Sequence, residues 1–442
     1  MRGWDIQQGD CLGLLRALPE NSIDAIVTDP PYGLSPDGRC RTWDDIEDGK
    51  ARGGFMGKGW DAAVPGVTWA RECLRVCKPG AHIVAFGGQR TIHRLICGLE
   101  DAGWEIRDLG AWQQWQGFPK SLSVGKAIDA HHGAEREDTG IVSSVTGSRN
   151  GKWSAGAGLP MQAKTTNTIT APATDDARTW EGYGTALKPC LEPWTLARKP
   201  LDGTVAENVL KWGTGALNID GCRYGYGDPA WPGPNDKHAG YTSGCGGAEF
   251  SVGVEKRANQ EFRSSPWEMP TLGRWPANVY ACPKASRGER EAGCGHLKGK
   301  TRAETVEREP GSAGASHPRA GAGRERTYNP GAEFHDGPGS PRRGCSPDYI
   351  YKPSPVRNYH PTVKPVALMG WLCRLVGGQP GSLILDPFAG SGTTGIAALR
   401  EGFRFLGFEL EPDYIEIAEA RINGDAPLFN RRGDPNTSRA SR

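Results

Sequence analysis

The sequence contains no run of about 18 apolar residues, the length that a membrane-spanning helix needs, so we expect no association with a membrane. Its first ten residues, MRGWDIQQGD, lack the apolar segment of a secretory signal. Twelve cysteines in 442 residues without such a signal are typical of reduced thiols, and we expect a cytoplasmic protein. The formal net charge of +2 neither requires nor excludes a nucleic-acid partner.

Strands and helices are predicted to alternate near both ends of the chain. Four predicted strands lie in the segments WDIQQGD, IDAIVT, AHIVAFGG and WEIRDLGAWQQW. Helices separate them, and we expect Pro79-Gly80 to end the second helix and Gly103 to end the third. Another strand, turn, helix, strand and helix follow in SLILDPFAGSGTTGIAALREGFRFLGFELEPDYIEIAEARI. This alternation favours an α/β fold with a mostly parallel, doubly wound sheet.

The middle of the chain differs in composition. Segments 131–185 and 223–347 are rich in Gly, Pro, Ser and Arg with little periodicity, which is typical of functional or disordered loops. The predicted organisation is therefore an ordered segment at 1–117, a flexible insertion at 118–200 that returns to a sheet strand, a loop-rich region at 201–355, a second ordered segment at 356–425 and a basic tail at 426–442.

The turn Gly390-Ser391-Gly392-Thr393-Thr394-Gly395 follows an apolar strand and opens a helix, as a nucleotide-binding turn does. Glu409 ends the next strand, where an acid can bind ribose hydroxyls. Asp386 lies directly before the turn, where its charge would repel a pyrophosphate and attract an ammonium group. S-adenosylmethionine satisfies all three positions, because its carboxylate suits the helix N-terminus. A Gly-rich turn without a ligand is the alternative.

The stretch Thr28-Asp29-Pro30-Pro31-Tyr32 must end the buried strand IDAIV, because proline cannot donate ladder hydrogen bonds. It then lies at the carboxyl edge of the sheet, where open α/β sheets bind ligands. Asp29 and the Pro30 carbonyl can accept hydrogen bonds from an exocyclic amine, and Tyr32 can stack on its base. The stretch predicts a rigid clamp for an extruded base, with a proline-terminated turn that caps a helix as the alternative.

With both motifs in place, the chain resembles the DNA amino-methyltransferases, which methylate adenine N6 or cytosine N4. It is similar to the permuted class, in which the DPPY motif precedes the cofactor motif. The resemblance covers residues 1–125, 186–225, 274–291 and 356–423, through segments such as GFPKSLSVGKAID, ALKPCLEPWTLARKP, HPTVKP and LDPFAGSGTTGIAA. It implies a Rossmann-like S-adenosylmethionine-dependent methyltransferase fold, with residues 1–117 as the catalytic half and 356–425 as the cofactor-binding half.

The resemblance also implies site residues and a mechanism. It assigns catalysis to the clamp residues Asp29, Pro30, Pro31 and Tyr32. It assigns cofactor binding to Asp10, Lys364, Asp386, Pro387, Phe388, Gly390, Gly392 and Glu409. Within that set, Asp10 is expected near the adenine and Lys364 beside the methionine end, although a solvated lysine at a helix start is the alternative for Lys364. Methyl transfer is expected to be direct and in line after base flipping.

The residue before the two prolines indicates which base is methylated. An acid before the two prolines, here Asp29, is commoner among adenine N6 enzymes of this family, and serine is commoner among cytosine N4 enzymes. We therefore expect adenine N6, with cytosine N4 as the alternative. RNA or protein amide methyltransferases usually carry Asn at this position, and a non-enzymatic DNA-binding subunit would need a broken motif.

Two cysteine patterns are not expected to carry chemistry. Pro189-Cys190 is similar to the nucleophile motif of cytosine C5 enzymes, but it precedes the apparent strand LEPWTLARKP, which we expect far from the clamp, so Cys190 is interpreted as packing. Cys282, Cys294 and His296 lack a paired C-x-x-C and a fourth evident ligand, so no metal is expected.

Double-stranded DNA is the expected partner, and residues 201–355 are the candidate target-recognition region. The arginines and glycines between 284 and 352 suit phosphate contacts. For 296–345 the alternative is a disordered, solvent-exposed segment without a binding role. Segment 131–185 is a candidate flap over the DNA. A restriction endonuclease partner and an orphan enzyme are both compatible with the sequence, which predicts neither the target sequence nor the oligomeric state.

Overall fold

The computed structural model describes residues 3–34, 40–45, 61–114, 117, 121–143, 167–224, 275–300 and 355–425. These residues belong to two compact units, one formed by 1–115 with 191–442 and the other by 116–190. No described helix is long and apolar enough to cross a bilayer.

The strands and helices alternate as the sequence predicts. The strands are β1 Trp4–Gln8, β2 Ile23–Thr28, β3 Cys77–Phe86, β4 Glu105–Gln113, β5 Asp138–Ser143, β6 Asn167–Thr170, β7 Leu191–Arg198, β8 Val279–Ala281, β9 Leu383–Asp386 and β10 Arg404–Glu409. The helices are α1 Cys11–Ala17, α2 Val67–Val76, α3 Ile92–Asp101, α4 Val124–His131, α5 Asp175–Thr179, α6 Val205–Trp212, α7 Arg287–Glu291, α8 Val366–Val376, α9 Thr393–Arg400 and α10 Pro412–Asp425.

Eight of these strands form one sheet in the larger unit, in the order β1-β10-β9-β2-β3-β7-β4-β8. All neighbouring pairs are parallel except those of β7, which runs antiparallel to both β3 and β4. At the centre, β2 from one end of the chain pairs with β9 from the other, with Ile26 opposite Leu385. The prediction of a mostly parallel sheet assembled from both chain ends is therefore confirmed.

The sheet separates two apolar clusters, because successive side chains of a strand point to opposite faces. On β3, Val84 and Phe86 pack in the cluster that α8 and α9 cover, whereas Ile83 and Ala85 pack in the cluster that α1, α2 and α3 cover. Every residue of β2 is buried, as expected for a central strand covered on both faces. The central strands are thus held firmly enough to place the residues that follow them.

One local prediction is wrong. Helix α2 ends at Val76 and not at Pro79-Gly80, because Cys77 is already extended and starts β3 opposite Ile23. The aromatic residue of β8 belongs to the main core. Tyr280 packs on Trp371 of α8, with ring centroids 5.2 Å apart, as part of the main cluster.

The smaller unit contains α4, α5 and the antiparallel pair β5 and β6. Its buried Asp129 is 1% exposed and accepts hydrogen bonds from the amide and hydroxyl of Thr174, which caps α5. Asp129 also pairs with Arg136 at 3.0 Å. A role for this segment as a flap stays a prediction, and the arginine-rich residues 301–350 and the tail 426–442 lie outside the described residues.

Candidate active site

A cavity of about 500 Å³ opens at the carboxyl ends of β2, β9 and β10. Both predicted motifs line it, so residues from the two ends of the chain meet there. Among the predicted site residues, the structure places these along the cavity wall: Asp10, Asp29, Pro30, Pro31, Tyr32, Lys364, Asp386, Pro387, Phe388, Gly390 and Glu409. Gly392 is the N-cap of α9, two residues beyond Gly390 in the same turn.

The Asp29 carboxylate directly follows β2 and is paired on one side only. Its Oδ2 accepts a hydrogen bond from the Lys364 ammonium at 2.5 Å. Its Oδ1 is buried and has no hydrogen-bond partner among the described residues. Burial raises the pKa of Asp29 above its ordinary value, although the nearby Lys364 charge opposes that shift. Buried acceptors without partners are rare in proteins, so Oδ1 is a candidate to bind a ligand donor.

The Tyr32 ring is fixed at both its backbone and its hydroxyl. Its amide donates to Asp61 at 2.6 Å, and its hydroxyl donates to Glu192 at 3.2 Å. The same hydroxyl accepts a hydrogen bond from Lys364 at 3.0 Å. Burial, followed by the charges of Asp29 and Glu192, raises the pKa of the Tyr32 hydroxyl. The phenol therefore stays protonated and can keep donating to Glu192.

Lys364 is 5% exposed and lies between two carboxylates. Its ammonium contacts Asp29 at 2.5 Å and Glu192 at 3.3 Å, and it lies 4.8 Å from the centre of the Phe86 ring. Burial alone would lower the pKa of Lys364, but the two carboxylates outweigh burial and raise it. The lysine is therefore held as a cation beside the clamp, while a role beside the methionine end of a cofactor stays a prediction.

Sequence reasoning missed Glu192. It lies at the start of β7, and the expectation that this strand is far from the clamp is wrong. Because β7 runs antiparallel to β3, its first residues reach the edge where the parallel strands end, with Trp194 opposite Phe86. Strand direction is set by tertiary pairing, so only an antiparallel assignment of β7 could have revealed Glu192.

Asp386, at the end of β9, has both carboxylate oxygens occupied. Oδ1 accepts from the Thr28 hydroxyl at 2.7 Å and the Phe388 amide at 3.0 Å, and Oδ2 accepts from the Thr394 hydroxyl at 2.6 Å. Burial raises the pKa of Asp386 to about 6, against these three hydrogen bonds. The carboxylate thus links the end of β2 to the start of α9.

The Gly-rich turn is bound to Glu409, whose Oε2 accepts a hydrogen bond from the Gly390 amide at 2.8 Å. Burial raises the pKa of Glu409 to about 7. Gly390 has φ +51°, and a Cβ there would lie 2.8 Å from Nε2 of His360, a cavity residue that sequence reasoning also missed. Behind the turn, the buried Arg421 donates to the Ser391 carbonyl at 2.6 Å. The turn is therefore packed tightly on both sides.

Two other predicted cofactor residues shape the cavity wall. Asp10 is the N-cap of α1 and accepts a hydrogen bond from the Gly13 amide at 3.0 Å. Phe388 packs against Trp43 and Trp69, with ring centroids 5.7 Å and 5.8 Å apart. Within the described ranges, no group of His, Cys, Asp and Glu is arranged to hold a metal ion.

The chain is similar to known DNA methylases. A model of the N6/N4 methyltransferase family, described as DNA methylase, matches residues 23–130 and 255–420. The Type II methyltransferase M2.DpnII of Streptococcus pneumoniae is 46% identical over 66 residues, which are 15% of this chain and 24% of that protein. The DNA adenine methyltransferase YhdJ of Escherichia coli (strain K12) is 44% identical over 64 residues, 14% of this chain and 21% of YhdJ. The chain thus matches about a quarter or less of the length of these curated relatives.

Solved structures give more distant likenesses over most of the chain. M1.HpyAVI, solved in complex with S-adenosylmethionine, is 14% identical with a TM-score of 0.38, covering 95% of this chain and 99% of that one. The cytosine-N4-specific PvuII DNA methyltransferase is 13% identical with a TM-score of 0.41, covering 97% and 94%. Because the family model matches more than half of its residues, this protein belongs to the N6/N4 DNA methylase family.

Proposed function

We propose that the protein is a DNA methyltransferase, which transfers a methyl group from S-adenosylmethionine to the N6 amine of adenine by direct in-line attack. The observation that carries this proposal is the buried Oδ1 of Asp29, which has no partner in the described part of the chain and lies in a cavity that the Gly-rich turn also lines. The cavity volume of about 500 Å³ lies within the range of small-molecule sites.

The residues around the turn fit the polar groups of S-adenosylmethionine. Among the described residues no side chain caps α9, so its first amides are open to a carboxylate. Asp386 accepts three hydrogen bonds, and an ionised carboxylate can accept about four, which leaves capacity for an ammonium group. Glu409 accepts backbone amides at both oxygens and can accept ribose hydroxyls at its remaining lone pairs.

The clamp residues hold and activate the amine. Oδ1 of Asp29 accepts one N–H of the amine, which raises the electron density on its nitrogen, and the Pro30 carbonyl is proposed to accept the other. Tyr32 presents its ring to the base while its hydroxyl is fixed by Glu192 and Lys364. When bound, S-adenosylmethionine supplies a methyl group on a positively charged sulfur. The proton that the methylated amine must lose passes to Asp29 and then to solvent.

Double-stranded DNA is the proposed substrate, and because a base inside a duplex cannot present its amine to the buried Oδ1 of Asp29, the target base must first leave the helix. The half-exposed Lys284 at the cavity wall suits a phosphate of that nucleotide. Residues 201–355 are proposed to recognise the target sequence. A cytoplasmic location and pairing with a restriction endonuclease stay predictions.

Adenine N6 is proposed over cytosine N4 on two grounds. An acid occupies position 29, where serine is commoner among cytosine N4 enzymes. The Escherichia coli relative of 44% identity is named as an adenine methyltransferase. Cytosine N4 is the second candidate, because the family model covers both chemistries.

Nucleoside mass spectrometry tests the proposal. Unmethylated genomic DNA is incubated with the full chain and S-adenosylmethionine that carries a deuterated methyl group, then digested to nucleosides. We expect labelled N6-methyladenine with the wild-type chain and at most a trace with Asp29→Asn, whereas Asp220→Asn, at a carboxylate that is 71% exposed, should match the wild type. Labelled N4-methylcytosine alone would refute the adenine assignment, and no labelled nucleoside would refute the activity.

A further inference from the structure

Three charged side chains from distant parts of the chain meet beside the clamp. Lys364 precedes α8, Glu192 begins β7, and Asp29 follows β2. The Lys364 ammonium contacts Asp29 Oδ2 at 2.5 Å, Glu192 Oε2 at 3.3 Å and the Tyr32 hydroxyl at 3.0 Å. An ammonium has three N–H donors, so these contacts use all of them. Glu192 is not needed in the transfer step described above.

We propose that Glu192 is a positioning residue of the transfer site, which holds the Lys364 ammonium on one oxygen of Asp29 so that the other oxygen stays open to the target amine. The inference rests on the proposed function. It assigns to β7 a part in the chemistry that neither the DPPY motif nor the cofactor turn supplies.

The geometry gives Glu192 two effects. It holds Lys364 by a second ion pair at 3.3 Å, and without that anchor the ammonium is free to move onto Oδ1 and occupy the place of the amine. It also accepts the Tyr32 hydroxyl at 3.2 Å, which fixes the ring on which a base would stack. Glutamine at this position keeps an acceptor for Tyr32 but removes the charge that anchors Lys364.

The charge of Glu192 distinguishes a positioning role from a purely structural one. The negative charge of Glu192 disfavours ionisation of Asp29 and favours the cationic form of Lys364, so its removal should lower both pKa values. Other groups that face the cluster are Lys284, 4.0 Å from Glu192, the Asp61 carboxylate on the Tyr32 amide, Asp386 beside Asp29, and His360, whose pKa is lowered by burial and by nearby cations that include Lys364. Each of these remains in place in a Glu192→Gln variant.

Single-turnover methyl transfer, followed with a radiolabelled methyl group across pH, tests the proposal. In Glu192→Gln we expect the acidic limb of the rate profile to move to lower pH, because Asp29 ionises earlier once the Glu192 charge is gone. The matched control is Glu105→Gln, which removes a carboxylate paired with Arg198 at the other end of β7 and should leave the acidic limb in place. A uniform loss of rate without movement of the acidic limb would overturn the proposal.

A second readout does not depend on methyl transfer. The Nζ signals of ¹⁵N-labelled lysines are followed by NMR in the DNA-free protein, with Lys364 assigned from its loss in Lys364→Gln. We expect its titration to move to lower pH in Glu192→Gln and to stay unchanged in Glu105→Gln. Wild-type protein that methylates no DNA would refute the proposed function. An active wild-type enzyme whose Lys364 signal and acidic rate limb are unmoved by Glu192→Gln would refute this inference alone.

Discussion

Two aspartates at the ends of neighbouring parallel strands line the same cavity but have opposite environments. Asp386, after β9, accepts hydrogen bonds from Thr28, Phe388 and Thr394, all of them neutral donors. Asp29, after β2, pairs with the charged Lys364 through one oxygen and leaves the other without a partner among the described residues. The sheet supplies a carboxylate at the end of each strand, and the neighbouring side chains fix one carboxylate and leave the other with an open oxygen.

This difference predicts that Asp386 holds the cofactor turn in place and that Asp29 takes part in the reaction. Because Thr28 directly precedes Asp29, its hydrogen bond to Asp386 ties the clamp to the cofactor turn as well as fixing Asp386. An unpaired buried acceptor such as Asp29 Oδ1 costs about 1–3 kcal/mol of stability, which a substrate amine can recover on binding. We therefore expect substitutions of Asp29 to reduce the transfer rate, and substitutions of Asp386 to reduce cofactor affinity and stability.

The largest expected effect follows from Asp29→Asn. The amide keeps the size of the side chain but places a donor or a weaker acceptor opposite the amine, so the transfer rate should fall by roughly 10²–10⁴-fold. Affinity for S-adenosylmethionine should stay within about twofold, because the fixed partners of Asp386 are untouched. Rates come from single-turnover methyl transfer and affinities from calorimetry. A variant that keeps its rate would remove Asp29 from the chemistry.

Asp386→Asn should produce the reverse pattern. The neutral amide attracts an ammonium group less and disturbs the hydroxyls of Thr28 and Thr394, so cofactor affinity should fall by about tenfold or more. The matched control is Asp24→Asn on the same strand pair, because Asp24 accepts from Lys78 and from the Leu383 amide at the opposite edge of the sheet. It should lower the melting temperature while affinity stays unchanged. Equal affinities for both variants would contradict a cofactor role for Asp386.

A smaller effect, on folding stability, is expected within the turn at Gly392. Its φ of +76° costs an L-residue about 1–2 kcal/mol, and an added Cβ would lie 3.0 Å from the Ala418 Cα. Gly381 has φ +87° with nothing within 4 Å of an added Cβ, so Gly381→Ala carries the conformational cost alone. Gly392→Ala should therefore lower the free energy of unfolding more than Gly381→Ala, measured by urea titration. Equal losses would show that the turn has room to move.

The fold was largely predictable because its signals are local. Buried strands that end in DPPY or a Gly-rich turn are visible as apolar runs followed by proline or glycine. Their parallel pairing follows because strands joined through a helix usually lie side by side in the same direction. The site was predictable only where a motif carries it. Glu192 depends on the reversed direction of β7, and the unpaired Oδ1 of Asp29 depends on where Lys364 lies, and both are consequences of tertiary packing.

The smallest expected effect concerns Glu409, which shares the edge of the sheet with both aspartates. Burial raises the pKa of Glu409 from 4.5 to about 7. Between these two pH values the folded protein keeps a proton that the unfolded chain has lost, so folding stability falls as the pH rises from 4.5 to about 7. Ribose hydroxyls donate to the ionised form, so cofactor affinity should rise with pH, by less than about tenfold between about pH 6.5 and about pH 8.5. Calorimetry on the DNA-free protein measures this dependence. Glu409→Gln cannot ionise and should bind weakly with a flat response, whereas Asp29→Asn should keep the rise. If cofactor affinity still rises with pH in Glu409→Gln, the titrating group is not Glu409. Asp386 would then be the next residue to test.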